Sequence, residues 1–179
     1  MGRGLVQVYW GGGKGKTTAA LGQLFRFAGH NFSCIIIQFM KSGLFHNNDF
    51  DEYGEEKSAR LFPNITWHRF GAKKWFIGKE KERHKEQILE GISTAKAEMK
   101  KEPDLLILDE ILYCVQMKLL SEDEVIELIE LKPARTELIM TGSHVPLEKI
   151  FNHADLVTEI RKTKHPFDSG ILARKGPEY

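Results

Sequence analysis

Short apolar and β-branched runs alternate along this chain with stretches in which charged residues interrupt the apolar ones, the pattern of a parallel sheet with helices on its faces. The runs predict strands at Leu5 to Tyr9, Cys34 to Met40, Ile65 to Arg69, Leu105 to Leu108, Glu137 to Thr141 and Leu156 to Ile160. Most are largely apolar, which suits strands covered on both sides. Between Lys79 and Lys101, the residues Ile88, Ile92, Ala95 and Met99 recur at steps of four, three and four and so share one helical face. Ser121 and Glu124 have capping-box spacing ahead of Val125, Ile126, Leu128 and Ile129, and Pro133 closes that helix. Lys41 to Arg60 is different: Gly43, Gly54, Asn47-Asn48 and several acids come without a sustained period, and predict a flexible loop near the site.

With 179 residues, 41% of them apolar and 28% charged, the chain is expected to fold as a single domain over residues 1–179. Lys and Arg number 26 against 25 Asp and Glu, a formal charge of +1. No global field is left to draw in nucleic acid or an anionic membrane, so an anion site must be local. The longest apolar run, Ile111 to Val115, falls far short of the roughly 20 residues a membrane span needs. The N-terminus enters the first strand without the pattern of a secretory signal, and a cytoplasmic location is expected. Cys34 and Cys114 lie apart in apolar surroundings and read as buried free thiols. His46 and His144 have no metal-site spacing, and the lysines at 73–74 and between Lys162 and Lys175 read as a solvated basic face.

The chemistry begins directly after the first strand. Gly11-Gly12-Gly13-Lys14-Gly15-Lys16-Thr17-Thr18 runs into Ala19-Ala20-Leu21, a helical continuation. Strand, glycine-rich turn, Lys-Thr and helix together make a phosphate-binding loop (P-loop). Its backbone N–H groups converge on a phosphate, the helix adds the positive end of its dipole, Lys16 reaches the terminal phosphates, and the Thr17 hydroxyl can ligate Mg²⁺. The strict motif would place its first glycine at Trp10; the nearest, Gly11, comes one position later, so the loop is a shortened variant. Leu105 to Leu108 then leads into Asp109-Glu110, which in P-loop folds brings carboxylates beside the metal. A P-loop alone leaves the reaction open, because hydrolases, kinases and motors all use one.

Further residues narrow the choice. The shortened loop, Gln38-Phe39-Met40-Lys41 with Gly43 after it, Gly54-Glu55, Leu108-Asp109-Glu110, Thr141-Gly142, Ala154-Asp155-Leu156-Val157-Thr158-Glu159, Lys164-His165 and Ala173-Arg174-Lys175-Gly176 resemble, nearly end to end, the P-loop family of ATP:corrinoid adenosyltransferases. The chain departs from that family at Gly12, where Asn is usual, at Ser143, where Arg usually follows Thr-Gly, and at Ala72-Lys73-Lys74-Trp75, where the family has Gly-Phe-Thr-Trp. The resemblance implies an α/β, RecA-like P-loop NTPase fold with a mostly parallel central sheet and helices on both faces. It implies transfer of the 5′-deoxyadenosyl group of ATP to the Co(I) of a reduced corrinoid, with release of tripolyphosphate. In the site so implied, Gly11 to Thr18 bind ATP, and Lys16, Thr17 and Glu110 are catalytic. Thr17, Asp109 and Glu110 hold Mg²⁺ or Mn²⁺, and Trp75 with Phe76 meets the corrinoid. A flavodoxin-type reductant and a homodimer are the implied partners. An ATP hydrolase or motor, and a non-catalytic nucleotide or corrinoid sensor, are the alternatives.

Overall fold

The computed structural model describes residues 2–41, 53–71 and 80–178. Its six strands are β1 (Val6–Trp10), β2 (Cys34–Gln38), β3 (Ile65–Arg69), β4 (Leu105–Asp109), β5 (Glu137–Thr141) and β6 (Leu156–Glu159). They form one sheet in the order β3-β2-β4-β5-β1-β6, and all pairings are parallel. The connecting helices are α1 (Lys16–Gly29), α2 (Gly54–Ala59), α3 (Glu80–Met99), α4 (Ile111–Gln116), α5 (Glu122–Leu131) and α6 (Glu148–Phe151).

Alternation along the central strands sends side chains into two cores. Ile36, Leu105, Ile107 and Ile139 pack with Ala20, Leu21, Leu24 and Ala28 of α1 on one face. Ile35, Ile37, Leu106, Leu108, Leu138 and Met140 pack on the other, with Ile88, Ile92, Ala95 and Met99 of α3 and with residues of α4, α5 and α6. The helical face read from the spacing in α3 is therefore the buried one. The α5 capping box is also in place: the Ser121 hydroxyl accepts the Glu124 N–H at 3.2 Å, and the Glu124 carboxylate accepts the Ser121 N–H at 2.7 Å.

The expected strand positions hold, with ends that move by one or two residues. β2 stops at Gln38, before the expected Met40, because Met40 turns the chain with a left-handed φ of 57°. The largest change is burial: β2 and β4 are covered throughout, whereas all four residues of the edge strand β6 are exposed. Loop was expected over 41–60, yet α2 occupies Gly54–Ala59. Its signals are too short for periodicity to register: Glu55 and Glu56 in the first turn favour the helix dipole, and Ala59 is its buried residue. Residues 42–52 of the expected loop lie outside the described residues.

Both cysteines are free and buried, and burial pushes the Cys34 thiol up to about 12. Neither should react with a thiol reagent until the chain unfolds, so native and denatured titrations should differ by both groups. Leu24 has no exposed surface and Leu131 is 51% exposed. In urea titrations Leu24→Ala should lose about 2–5 kcal/mol of stability, and Leu131→Ala no more than about 0.5.

Candidate active site

Parallel strands end on one edge, and the site lies there. Between β1 and α1 the chain turns through Gly11 and Gly15, whose φ values of 111° and 116° suit glycine. Gly15 is the N-cap of α1, so the N–H groups of Lys16, Thr17 and Thr18 have no carbonyl one turn back and face the cradle. The back of the loop is held by the chain itself. Gly13 N–H donates to Ile160 O at 2.7 Å and Gly11 N–H to Ser143 O at 3.0 Å. A Cβ on Gly11 or Gly13 would fall 2.5 or 2.7 Å from Ile160 O, while Gly12 has open space around it. The departure from Asn at Gly12 therefore answers no packing demand.

Lys16 folds over its own loop: its Nζ donates to Gly11 O at 2.7 Å and to Gly13 O at 3.3 Å. Burial lowers its pKa, against the opposing pull of Glu110 and Asp109. Lys14, by contrast, donates from Nζ to the carbonyl of Pro177 at 2.8 Å and so tethers the C-terminal segment beside the loop.

Asp109 ends β4 with no exposed surface. Its Oδ1 accepts the hydroxyls of Thr17 at 2.9 Å and Thr141 at 2.6 Å; Oδ2 accepts Gln38 Nε2 at 3.0 Å and faces Lys41 Nζ at 3.3 Å. Burial alone would raise its pKa, but the Lys41 ammonium and the hydrogen bonds from Thr141, Thr17 and Gln38 outweigh it and hold the carboxyl below the usual range. Register explains the assembly, since Gln38 pairs with Asp109 across β2 and β4, and Thr141 ends the next strand over. Glu110 follows in the left-handed region at φ 65°, with its N–H on Thr141 Oγ1 at 2.9 Å. Burial and the neighbouring Asp109 raise its carboxyl, with Lys41 and Lys16 opposing.

These groups open on a cavity of about 690 Å³, lined by the loop, Phe25, Lys41, Tyr53, Glu110 and Pro177 among others. Lys16, Thr17, Thr18, Asp109 and Glu110 are thus brought together as the sequence suggested. Gln38, Lys41, Thr141 and Tyr53 had been given no role. For Gln38 and Thr141 the available signal was a polar residue closing an otherwise buried apolar strand, which must find a partner.

Ser143, at the position of the family's usual Arg, is buried at φ 56°; its hydroxyl donates to Val145 O at 2.6 Å and accepts Val145 N–H at 3.1 Å. It closes a turn whose carbonyl steadies Gly11. Trp75, Phe76 and His46 lie outside the described residues. His144 packs against Tyr113, with ring centroids 5.5 Å apart, and burial lowers its pKa with help from Lys16. Among the described residues no group of three or more His, Cys, Asp or Glu could hold a metal, and no helix is long and apolar enough to cross a membrane. A hydroxyl and two carboxylates beside the cradle are hard oxygen donors, few in number, and fit Mg²⁺, which binds through one or two carboxylates together with substrate phosphates.

A parallel α/β sheet with a glycine cradle at its carboxyl edge, Lys-Thr opening the next helix and a buried Asp beside the Thr define a P-loop nucleotide-binding protein. The family model described as ATP:corrinoid adenosyltransferase BtuR/CobO/CobP matches residues 2–179, and the chain belongs to that family. It is 32% identical to a corrinoid adenosyltransferase of Pseudomonas aeruginosa over 181 residues, covering 99% of this chain and 84% of the relative. It is 31% identical to corrinoid adenosyltransferases of Escherichia coli and Salmonella typhimurium, in each case covering 99% of this chain and 86% of the relative. Among solved structures it is similar to EssC (ATPases 2 and 3) from Geobacillus thermodenitrificans, at TM-score 0.48 and 16% identity, covering 97% of this chain and 35% of that one. That likeness is too slight to bear on function.

Thr141 both donates to Asp109 and accepts from Glu110, so Thr141→Val should leave two buried polar groups short of a partner. A loss of about 1–3 kcal/mol in urea unfolding is expected. An unchanged midpoint would remove Thr141 from the network.

Proposed function

We propose that this chain transfers the 5′-deoxyadenosyl group of ATP to the Co(I) centre of a reduced corrinoid. The observation that supports it most is that Lys16, Thr17 and Glu110 line one cavity, with Asp109 buried behind Thr17 and accepting its hydroxyl, in a chain matched to the adenosyltransferase family over residues 2–179. In the transfer, the electron pair of Co(I) forms the bond to C5′ of the ribose while the C5′–O5′ bond breaks and its pair leaves with the triphosphate. Cobalt is formally oxidised by two electrons, and no protein nucleophile takes part. What the chain must supply is positive potential where charge grows on the leaving oxygen.

We assign Gly11, Gly12, Gly13, Lys14, Gly15, Lys16, Thr17 and Thr18 to the triphosphate, and Lys16, Thr17 and Glu110 to catalysis. Backbone N–H groups at the start of α1 point at the cradle, and Lys16 is already turned inward over it. Thr17, Asp109 and Glu110 would hold Mg²⁺ or Mn²⁺, which neutralises charge on the triphosphate when bound. Trp75 and Phe76 are assigned to the corrinoid on their sequence alone. The reading carries with it a cytoplasmic location, a flavodoxin-type reductant and a homodimer.

Anaerobic incubation with MgATP and chemically reduced cobalamin should give light-sensitive adenosylcobalamin together with tripolyphosphate. Orthophosphate without a cobalt–carbon product would replace the reading with ATP hydrolysis. Lys16→Ala should slow transfer by at least about a hundredfold with a native circular dichroism spectrum. Undiminished turnover would take Lys16 out of the assignment.

A further inference from the structure

Lys41 stands between Thr17 and Asp109, two of the three side chains assigned to the metal. Its Nζ donates to Thr17 Oγ1 at 3.2 Å and lies 3.3 Å from Asp109 Oδ2, so one ammonium touches both groups. A divalent ion and an ammonium cannot hold the same hydroxyl and carboxylate at contact distance, because their repulsion in a partly buried site far exceeds thermal energy. One of them must leave.

The backbone aims Lys41 at this spot. β2 has ended, Met40 adopts the left-handed φ of 57°, which costs energy for a residue other than glycine, and Lys41 N–H donates to Phe70 O at 3.2 Å. The side chain that results is 17% exposed, above an Asp with none. Lys41 also lines the same cavity as the P-loop, with the Tyr53 ring centroid 6.0 Å from its ammonium. An ammonium pushed off Asp109 therefore stays inside the nucleotide cavity. Asp109 already has its counter-charge in Lys41, 3.3 Å away. A divalent ion entering alone would unbalance that pair, whereas one entering with a triphosphate brings the anion that the displaced lysine needs.

We propose that Lys41 is a positioning residue, the resident cation of the Thr17–Asp109 pair, which yields to a divalent metal arriving with the triphosphate and then turns its ammonium onto phosphate oxygens. The proposal rests on the reading that Thr17 and Asp109 hold the metal. It makes metal and ATP binding cooperative through one side chain, and it makes binding of metal alone weak.

Mn²⁺ serves as the probe, its free ion counted by electron paramagnetic resonance in titrations of the full chain. Without ATP, Lys41→Met and Lys41→Gln should bind Mn²⁺ at least about tenfold more tightly than the natural chain, and Lys41→Arg should stay weak. Equal Mn²⁺ affinity in all four would overturn the proposal. A purely structural lysine would shift the unfolding midpoint and leave the Mn²⁺ affinity where it was. Should Lys41→Met fail to fold, Lys41→Gln keeps a donor for Asp109 and carries the same comparison. Asp109→Asn, measured with ATP present, separates the two claims. It should weaken Mn²⁺ in the ternary complex; if it does not, the metal assignment itself fails and the lysine proposal falls with it.

Discussion

A carboxylate with no exposed surface cannot stand alone, and Asp109 sets terms that the rest of the structure meets. Its partners come from four places: Thr17 from α1, Gln38 from β2, Lys41 from just beyond β2, and Thr141 from β5. That requirement is topological. β2, β4 and β5 must be neighbours with their ends level, and the helix that follows β1 must begin beside them. A parallel sheet satisfies both conditions, since all its strands finish on one edge, and the two cores exist to hold that edge still.

The same cluster explains how a P-loop suits a reaction in which the whole triphosphate departs. Lys16 and Lys41 are each placed by backbone geometry, one by the loop carbonyls of Gly11 and Gly13 and the other by the turn at Met40. On the proposed reading Lys41 shifts when metal and triphosphate bind, so that both ammonium groups are in place before charge develops on the leaving group. Glu110, with its carboxyl raised by burial, and Asp109, held ionised, are adjacent in sequence and opposite in behaviour. The difference lies in Asp109's four polar partners.

Much of this was legible in the sequence, and the boundary has a physical cause. Gly11 to Thr18 and Leu105 to Glu110 are contiguous segments whose chemistry is local, so residue type and spacing suffice to read them. Ile88, Ile92, Ala95 and Met99 likewise announce the buried face of α3 through period alone. Gln38, Lys41 and Thr141 gain their meaning only when three strands are laid side by side, an arrangement no single stretch encodes. The motif distinguishes Lys16 from Lys14, but the bond from Lys14 to Pro177 joins residues 163 apart and has no signature in either segment. α2 escaped because six residues hold too few turns for a period. Ser143 reads as a lost cation, yet its place is a buried turn where its hydroxyl serves the backbone.

Glycines in a phosphate loop are valued for letting a phosphate approach, but Gly11 and Gly13 also admit the chain leaving β6 from the other side. The loop is a thin wall shared by two tenants, a nucleotide in front and an exposed edge strand behind. Anything that pairs with or pulls on that edge reshapes the surface offered to a phosphate, and anything that fills the loop stiffens the edge in return.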